Sequence, residues 1–574
     1  MCSLMEMHRK NYTIVAALKF GTTSIATAWS NIDKYHSNPL QIFTFSISDY
    51  NGLSMADTSI RTVILFDEHK KFHSFGKKAE DAYSELAMNN EHHKWYLFKR
   101  FKMRLHENNI IIEDVKEKKM LASEVFRAVI REITDKVLEA CLSAPFIHVY
   151  WVFTVPATWT VSAKQVMRES AYKAGINRAQ LSIVLESEAA ILYCQMLPTD
   201  EIRRSDVANL DIASPGTKFM VFNLTDETTD TTVYERRDDG GLRELHTASG
   251  CAWGGTEVNE EFFKMFIKLV GGPTFTKFID NNQEDYFDMQ RELKTIIRRI
   301  TPKTRGKIGI HIPHTLLQTY ESESGENIME AIDGSQYAGK ITRTADILRV
   351  DAQVLKNFFK PCCDEIVKHV EDVLKNADVQ GTNIFYMVGN FSESEIIQDA
   401  IKTALPRGKV IIPDEPSVAA LKGAIVFGRR PIVFTSSKSK YTYGINISPP
   451  FDPTIHLEDH RVSVGGMDRC RDVFKKYILK GETVRVGAAK FGEHVALNTN
   501  QREMMLNVYA CPRPNPLFVD EGDVEYLGNI VVNLPECADE VRVEVKMILG
   551  ETELIVEAVE MSQLTKYRAY FEDL

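Results

Sequence analysis

The sequence predicts an α/β protein followed by a mainly β segment. The apolar run Phe146–Val155 is typical of a strand buried on both faces, and Val161–Ala174 has the pattern of the helix after it. Two strand–turn–strand units lie within this alternation, at Tyr12–Ser30 and Lys218–Tyr234. Beyond about Pro449 short alternating segments predominate, which indicates a separate β-rich part.

The other elements follow from hydrophobic periodicity along the chain. Helical patterns cover Lys77–Asn89, Leu121–Ala140, Val258–Val270, Tyr286–Ile300, Val354–Val379, Ser417–Phe427 and a short stretch at Asp468–Leu479. Strand patterns cover Gln41–Asp49, Arg61–Asp67, Ile308–His311, Gln318–Glu321, Asn383–Val388 and Tyr441–Ile447. The segment Lys94–His106 interleaves aromatic and basic residues, and we interpret it as amphipathic with its basic side chains in solvent.

Composition limits the class of protein. The chain has 574 residues, 44% of them hydrophobic, which is more than a single core holds. Its net charge of −10 argues against a nucleic-acid partner. Nine cysteines without CxxC spacing indicate neither a zinc site nor a disulfide framework, so we expect a reducing, cytoplasmic location. A signal-peptide core and an apolar run of about 18 residues are both lacking, so no membrane span is expected.

The turn of the first strand–turn–strand unit is rich in small and hydroxyl residues, with Lys19–Ser24 reading KFGTTS. Glycine lets backbone N–H groups approach a phosphate closely, and threonine hydroxyls add donors. The motif alone is a weak signal, because most Gly-Thr-Thr triplets are ordinary turns. It becomes informative only together with motifs elsewhere in the chain.

Three further stretches follow it in order: VLESEAAILYC at Val184–Cys194, VFNLTDETTDTTV at Val221–Val233 and MVGNFSESEII at Met387–Ile397. The ordered set resembles the actin and 70 kDa heat-shock protein ATPase superfamily, in which two hairpins clasp the nucleotide phosphates. Within it, the sequence is similar to the heat shock 70 kDa protein 12 branch. The segments that carry this closer similarity are Lys70–Gly76, Trp95–His106, Phe153–Ile176, Leu185–Cys194, Leu421–Gly428, Thr442–Ile445 and Cys470–Ile478.

The resemblance implies an actin-like (ribonuclease H-like), two-lobed ATPase-type domain with a C-terminal mainly β domain. The expected boundaries are residues 1–11 for a disordered N-terminus, about 12–215 for lobe I, about 216–390 for lobe II, 391–448 for a return to lobe I, and 449–574 for the β-rich domain. No sustained helical pattern follows Leu479, so the long lid of typical 70 kDa chaperones is not expected.

The resemblance also assigns candidate site residues. Positions that match the family's nucleotide contacts are Lys19, Gly21, Thr22, Thr23, Thr228, Gly254, Gly255, Arg298, Gly389 and Asn390, and those that match catalytic positions are Glu186 and Asn223. Either Lys99 or Lys102 stands where a catalytic lysine is expected.

Several of these positions depart from the family pattern. Lys19 replaces an aspartate that faces hydrated metal, which changes the local charge by two units, so Mg²⁺ binding should be weak and no metal ligand is assigned. Asn223 replaces an aspartate and cannot act as a base. The family's three glycines in the second turn are Thr225–Glu227, whose side chains fill space that a polyphosphate needs. Asn390 and Lys294 weaken the adenine site, so ATP or ADP should bind weakly.

Three functions stay open at this point. The first is a pseudo-ATPase scaffold that works through protein clients or regulatory partners. The second is a slow ATP-binding chaperone-type ATPase, in which Lys19 pairs with phosphate. The third is a cleft for another anion or a sugar-type ligand. The first two differ in whether Lys19 points into the cleft or turns to pair with Glu186 or Asp226.

Overall fold

The structure is a computed structural model. It describes residues 12–45, 59–102, 105, 111–140, 148–197, 202–203, 214–238, 241–251, 253–429, 434–464, 466–485, 488–496, 501–535, 541–549 and 553–572. The predicted disordered segment 1–11 lies outside these ranges. Among the helices within these ranges, none combines the length and the apolar character needed to cross a lipid bilayer.

The first large sheet is built on the first hairpin, strands Ile14–Phe20 and Ser24–Asn31. Ile14–Phe20 pairs antiparallel with its hairpin partner and parallel with Val149–Val155, which in turn pairs parallel with Leu181–Leu185. Short strands at Phe43–Phe45 and Ser59–Arg61 extend the outer hairpin strand. The inner strands are apolar on both faces, as a sheet covered by helices requires.

The second large sheet repeats this arrangement around the second hairpin. Its strands, in spatial order, are Ile202–Arg203, Lys409–Pro413, Ile384–Val388, Lys218–Leu224, Thr229–Arg236, Leu242–Cys251, Phe434–Lys438 and Thr483–Arg485. Lys218–Leu224 again pairs antiparallel with its hairpin partner and parallel with a distant strand, Ile384–Val388. The two sheets therefore share one topology, hairpin plus two parallel strands.

The helix that follows the last parallel strand is equivalent in the two repeats. Glu186–Cys194 follows Leu181–Leu185, and Ala419–Arg429 follows Lys409–Pro413. These two helices pack directly against each other: a Cβ at Gly423 would lie 1.6 Å from the carbonyl oxygen of Ala189. Only glycine permits this approach, so the pair forms a tight contact between the repeats.

The remaining helices cover the sheets and build subdomains at their edges. They are Ile32–Ser37, Lys77–Met88, Ala122–Ala140, Val161–Lys173, Gly255–Val270, Gly272–Asn281, Gln283–Arg299, His314–Ser324, Ile328–Asp333, Ala352–Asn357, Lys360–Leu374 and Glu395–Ala404. Small sheets are formed by Val63–Phe66, Phe72–Phe75 and Tyr96–Lys99, by Lys307–His311, Ile341–Thr344 and Ile347–Asp351, and by Ile111–Glu113 with Lys119–Leu121.

The C-terminal part is built from strands, and its described residues after Arg429 contain no α-helix. One four-stranded sheet comprises Val473–Ile478, Thr442–Ile447, Glu503–Cys511 and Glu525–Asn533, and another comprises Ala489–Val495, Arg542–Leu549, Glu553–Glu560 and Thr565–Glu572. Alternate side chains of both sheets share one hydrophobic cluster. A hairpin of Arg461–Val464 and Met467–Cys470 lies beside them.

Three local predictions were wrong. Gln318–Glu321 lies within the helix His314–Ser324, where Leu316, Leu317 and Tyr320 make a helical apolar face. Asp468–Leu479 is not a helix but the end of one strand and all of Val473–Ile478, because its apolar residues pair across a sheet. In the segment Lys94–His106, Lys102 is only 5% exposed, so its basic residues do not all face solvent.

Candidate functional site

The two hairpin turns are equivalent in register and face each other. In the first hairpin Lys19 lies opposite Ala26, and in the second Asn223 lies opposite Asp230. The paired residues are the same number of positions apart in the two hairpins, so the two turns have the same length and register. Each turn then contacts the other through its side chains, which defines a cleft between the hairpins.

A buried polar network lies at the base of this cleft. Glu186, 1% exposed at the start of its helix, accepts a hydrogen bond from Asn223 Nδ2 to Oε2 at 2.8 Å. The ammonium of Lys102 lies 3.4 Å from Glu186 Oε1 and over the ring of Trp159. Burial alone would raise the pKa of Glu186, but Lys102, Lys19 and Asn223 together lower it. Glu186 is therefore an ionised carboxylate, with Asn223 bonded to one oxygen and Lys102 close to the other.

Lys19 is placed beside this network without joining it as an ion pair. Its Nζ donates to the backbone carbonyl of Ser417 at 3.1 Å. Burial lowers the pKa of Lys19, while the charge of Glu186 opposes that change. In the described part of the chain, no carboxylate forms an ion pair with Lys19 within 4.0 Å. The pairing with Glu186 or Asp226 that was expected for a pseudo-ATPase is therefore not the arrangement found.

Asp230 is the second buried carboxylate of the cleft. It is 1% exposed and accepts a hydrogen bond from the Thr158 hydroxyl to Oδ1 at 3.1 Å. Its Oδ2 has no hydrogen-bond partner within the described residues. Burial and the nearby charge of Glu186 raise the pKa of Asp230 to about 7. Asp230 therefore changes its protonation state near neutral pH.

The carboxylates of the second turn bind the hydroxyls of the first. Thr23 Oγ1 donates to Asp226 Oδ2 at 2.5 Å, and Asn390 Nδ2 donates to Asp226 Oδ1 at 2.7 Å. Lys294 Nζ lies 3.6 Å from Asp226 Oδ2. Burial would raise the pKa of Asp226, but Lys294 and the Thr23 hydroxyl, with more distant cations, lower it.

Glu227 makes the neighbouring set of contacts. Arg100 Nε donates to Glu227 Oε1 at 3.2 Å, and Arg100 Nη2 donates to Thr256 Oγ1 at 2.8 Å. Burial raises the pKa of Glu227, and Arg100 and a hydrogen bond with the Thr22 side chain oppose this rise. Both acidic side chains of the turn thus point toward the first hairpin and its surroundings.

Glycines allow the backbone to pack closely around the second turn. A Cβ at Gly254 would lie 2.5 Å from the Thr225 carbonyl oxygen, and one at Gly389 would lie 2.2 Å from the Leu224 carbonyl oxygen. Gly389 also has a φ of 91°, which side chains rarely adopt. In the first turn, a Cβ at Gly21 would lie 2.2 Å from the Ser24 carbonyl oxygen. These glycines are required by backbone packing within the protein itself.

The donor set does not fit a metal–triphosphate complex of the kind that the sequence resemblance implies. Such a ligand brings several negative charges, and Asp226 and Glu227 already supply two where its phosphates would lie. Within the described ranges, no cluster of three His, Cys, Asp or Glu side chains has metal-binding geometry. The network around Glu186 also lacks a base at position 223, since an amide stands there.

Comparison with known proteins gives one consistent result. The chain is 27% identical to human heat shock 70 kDa protein 12B over 632 aligned residues, which cover 98% of this chain and 91% of that protein. It is 26% identical to mouse heat shock 70 kDa protein 12A, over 96% of the chain and 90% of that protein. Over nearly its whole length, the chain is similar to proteins of the heat shock 70 kDa protein 12 branch. A scan against protein-family models found no match.

Within this heat shock 70 kDa protein 12-like chain, the predicted site residues fall into two groups. Those that meet at the cleft are Lys19, Gly21, Thr22, Thr23, Glu186, Asn223, Gly254, Gly255, Gly389 and Asn390. Thr228 instead bonds within its own turn, to Thr225. Arg298 lies at the mouth, its Nε 3.9 Å from Glu393 Oε2.

The structure chooses between the two candidate lysines. Lys102 lies in the cleft with Glu186, whereas Lys99 pairs with Glu80 at 3.2 Å and lies over the ring of Phe287. Burial lowers the pKa of Lys99 to about 8, although the negative charge of Glu80 acts to raise it. Sequence reasoning did not assign Arg100 or Ser417 to the site, although Arg100 lies within the segment Trp95–His106 and Ser417 begins the helical pattern Ser417–Phe427. Arg100 comes between the two lysines, and Ser417 contributes only its backbone.

Proposed function

We propose that this protein is a pseudo-ATPase of the 70 kDa heat-shock type, which binds protein partners and does not turn over ATP. The two large sheets would form the two lobes of an actin-like domain, and residues 449–574 would form a short β-rich domain. The protein would act in the cytoplasm as a chaperone-like or regulatory scaffold.

One observation carries this proposal: two donors at the cleft are already bonded to a carboxylate of the protein itself. The Thr23 hydroxyl and the Asn390 amide, which could contact a nucleotide, both donate to Asp226. Asn223 donates an amide hydrogen to Glu186, and its amide cannot act as a base. Loss of the base and occupation of the phosphate positions are independent obstacles to hydrolysis.

The test is thermal unfolding of the purified protein with ATP or ADP, each with Mg²⁺ and with EDTA, followed by a phosphate-release assay. A ligand that binds only the native state stabilises it, by about 2.7 kcal/mol at one hundred times its Kd. We expect no shift of the midpoint at millimolar nucleotide and no release above the buffer rate. A shift with Mg²⁺-ATP together with measurable turnover would overturn the proposal.

A second candidate function has one specific observation in its favour. Among the residues that the structure describes, no carboxylate pairs with Lys19. Its ammonium is bonded to the Ser417 carbonyl, an interaction that a phosphate oxygen can replace. This arrangement supports metal-free nucleotide binding. Stabilisation by ATP in EDTA, abolished in Lys19→Met, would favour that function over the first.

A further inference from the structure

The most unusual feature of the cleft is the direction of the two acidic side chains in the second turn. A turn with two adjacent carboxylates at a protein surface would normally expose them to water. Here Glu227 is 7% exposed, and the side chain of Asp226 is 23% exposed. Both are directed at hydroxyl and cationic groups from other parts of the chain.

The partners of these carboxylates together form an anion-binding set. Two hydroxyls come from the first turn, an amide comes from Asn390, and cations come from Arg100 and Lys294. Each of these groups donates hydrogen bonds or carries positive charge, as groups that bind phosphate do. Four separate segments of the chain contribute to the set, so it is a built site and not a local turn motif.

We propose that Asp226 and Glu227 are tethered anions that fill an anion site formed between the two hairpins. They hold the hairpins together in the way that a bound phosphate ligand would. The inference rests on the proposed function, because it explains why this cleft does not take nucleotide. It goes further by stating that the site itself persists and accepts a diphosphate-type anion once the tethered carboxylates are removed.

The backbone at Arg100 supports this interpretation. Arg100 has a φ of 53°, in the left-handed region that residues other than glycine rarely adopt. This conformation directs the Arg100 side chain toward Glu227 and Thr256. This backbone conformation costs on the order of 1 kcal/mol or more, and the Arg100 side chain is itself half exposed. Its contacts with the second turn offset that cost.

The electrostatics agree with the geometry. Asp226 has a lowered pKa in spite of its burial, so it is ionised at neutral pH and supplies a full negative charge. Glu227 has a raised pKa and one carboxylate oxygen, Oε2, without a hydrogen-bond partner in the described residues. Asp226 is therefore the stronger of the two tethered anions.

The decisive variant is Asp226→Gly/Glu227→Gly, which removes both carboxylates and opens the space that they fill. The matched control is Glu371→Gln/Asp372→Asn, an adjacent pair of acids exposed on the helix Lys360–Leu374. Binding of inorganic pyrophosphate to the full chain is measured by calorimetry. We expect the cleft variant to bind at least ten times more tightly than the wild type, and the control to behave as the wild type.

A folded cleft variant that binds pyrophosphate no better than the wild type would overturn the inference. If the glycine variant does not fold, Asp226→Asn/Glu227→Gln removes the charges and keeps the volume. That variant should unfold at a temperature at least 5 °C lower than the surface control, because Arg100 and Lys294 lose their partners. Equal midpoints would also overturn the inference.

The same measurements separate this inference from the proposed function. The proposed function fails if the wild-type protein binds and hydrolyses ATP. The tethered-anion inference fails if the folded glycine variant binds pyrophosphate no better than the wild type, or if the charge-removing variant unfolds at the midpoint of its control, whatever the wild type does with ATP. One can therefore be rejected while the other stands.

Discussion

The two hairpins have the same backbone arrangement and opposite chemistry. Lys19 of the first corresponds to Asn223 of the second, and Ala26 corresponds to Asp230, because each pair lies opposite across its own hairpin. The first turn keeps a glycine and threonines, whereas the second carries Thr225–Glu227 at the equivalent positions. One turn offers donors and the other offers acceptors.

The comparison shows that two turns of the same topology can carry different side-chain chemistry. The sheet around each hairpin uses the same parallel pairing, and the packing of the two equivalent helices does not involve the turns. The contact between the repeats is therefore made by residues outside the turns, so it can be changed separately from the cleft. The following changes test that separation, from the largest expected effect to the smallest.

The contact between the two repeats should be the most sensitive to substitution. Gly423→Ala places a methyl group 1.6 Å from the Ala189 carbonyl oxygen, a distance at which the helices must move apart. We expect a loss of more than about 3 kcal/mol in the free energy of unfolding, measured by urea denaturation. The control is Gly272→Ala, also in a helix, where nothing lies within 4 Å of the added group. A similar effect of both substitutions would contradict the packing described.

The buried network around Glu186 should be the next most sensitive to substitution, because its charges balance one another. Lys102→Met leaves Glu186 buried with its principal cation removed, and breaking such a pair costs about 3–5 kcal/mol. The double variant Lys102→Met/Glu186→Gln should recover part of that loss, because residue 186 no longer carries a buried negative charge. Lys375→Met, at a fully exposed pair with Asp372, should leave the stability nearly unchanged. If the double variant were less stable than Lys102→Met, the loss of stability in Lys102→Met could not be attributed to the unpaired charge of Glu186.

Sequence reasoning predicted the architecture better than the cleft. Alternating strands and helices, and the hairpins on either side of them, follow from local periodicity, which tertiary contacts reinforce. The direction of Lys19 could not be predicted, because its partner is a backbone carbonyl almost 400 residues away. The sequence predicted that Asp226 and Glu227 would oppose phosphate. It gave no sign that Thr23 and Arg100 would bind them, since those contacts depend on how the two hairpins meet.

Asp230 has no acidic equivalent in the first hairpin, and it should make stability depend on pH. Its pKa of about 7 in the folded protein exceeds the ordinary value for an aspartate, so the folded state binds the proton more tightly. Its stabilising contribution is therefore present in acid and lost as the pH rises from about 4 to 7, by up to about 4 kcal/mol. Asp230→Asn should flatten this part of the profile and be more stable than the wild type at pH 8. Parallel profiles from calorimetry for the two proteins would contradict the assignment.

The hydrogen bond between the two turns should give the smallest effect and the sharpest test of their difference. Thr23→Val removes the donor to Asp226 while keeping the shape of the side chain, and we expect a loss of about 1–2 kcal/mol. Asp226→Asn removes the charge that this hydroxyl meets. If the turns act on each other, the double variant should cost less than the sum of the two single variants by about 1 kcal/mol. Thr319→Val, whose hydroxyl donates to the Thr315 carbonyl within its own helix, should be additive with Asp226→Asn. If the effects of Thr23→Val and Asp226→Asn on stability are also additive, these two side chains do not stabilise each other across the turns.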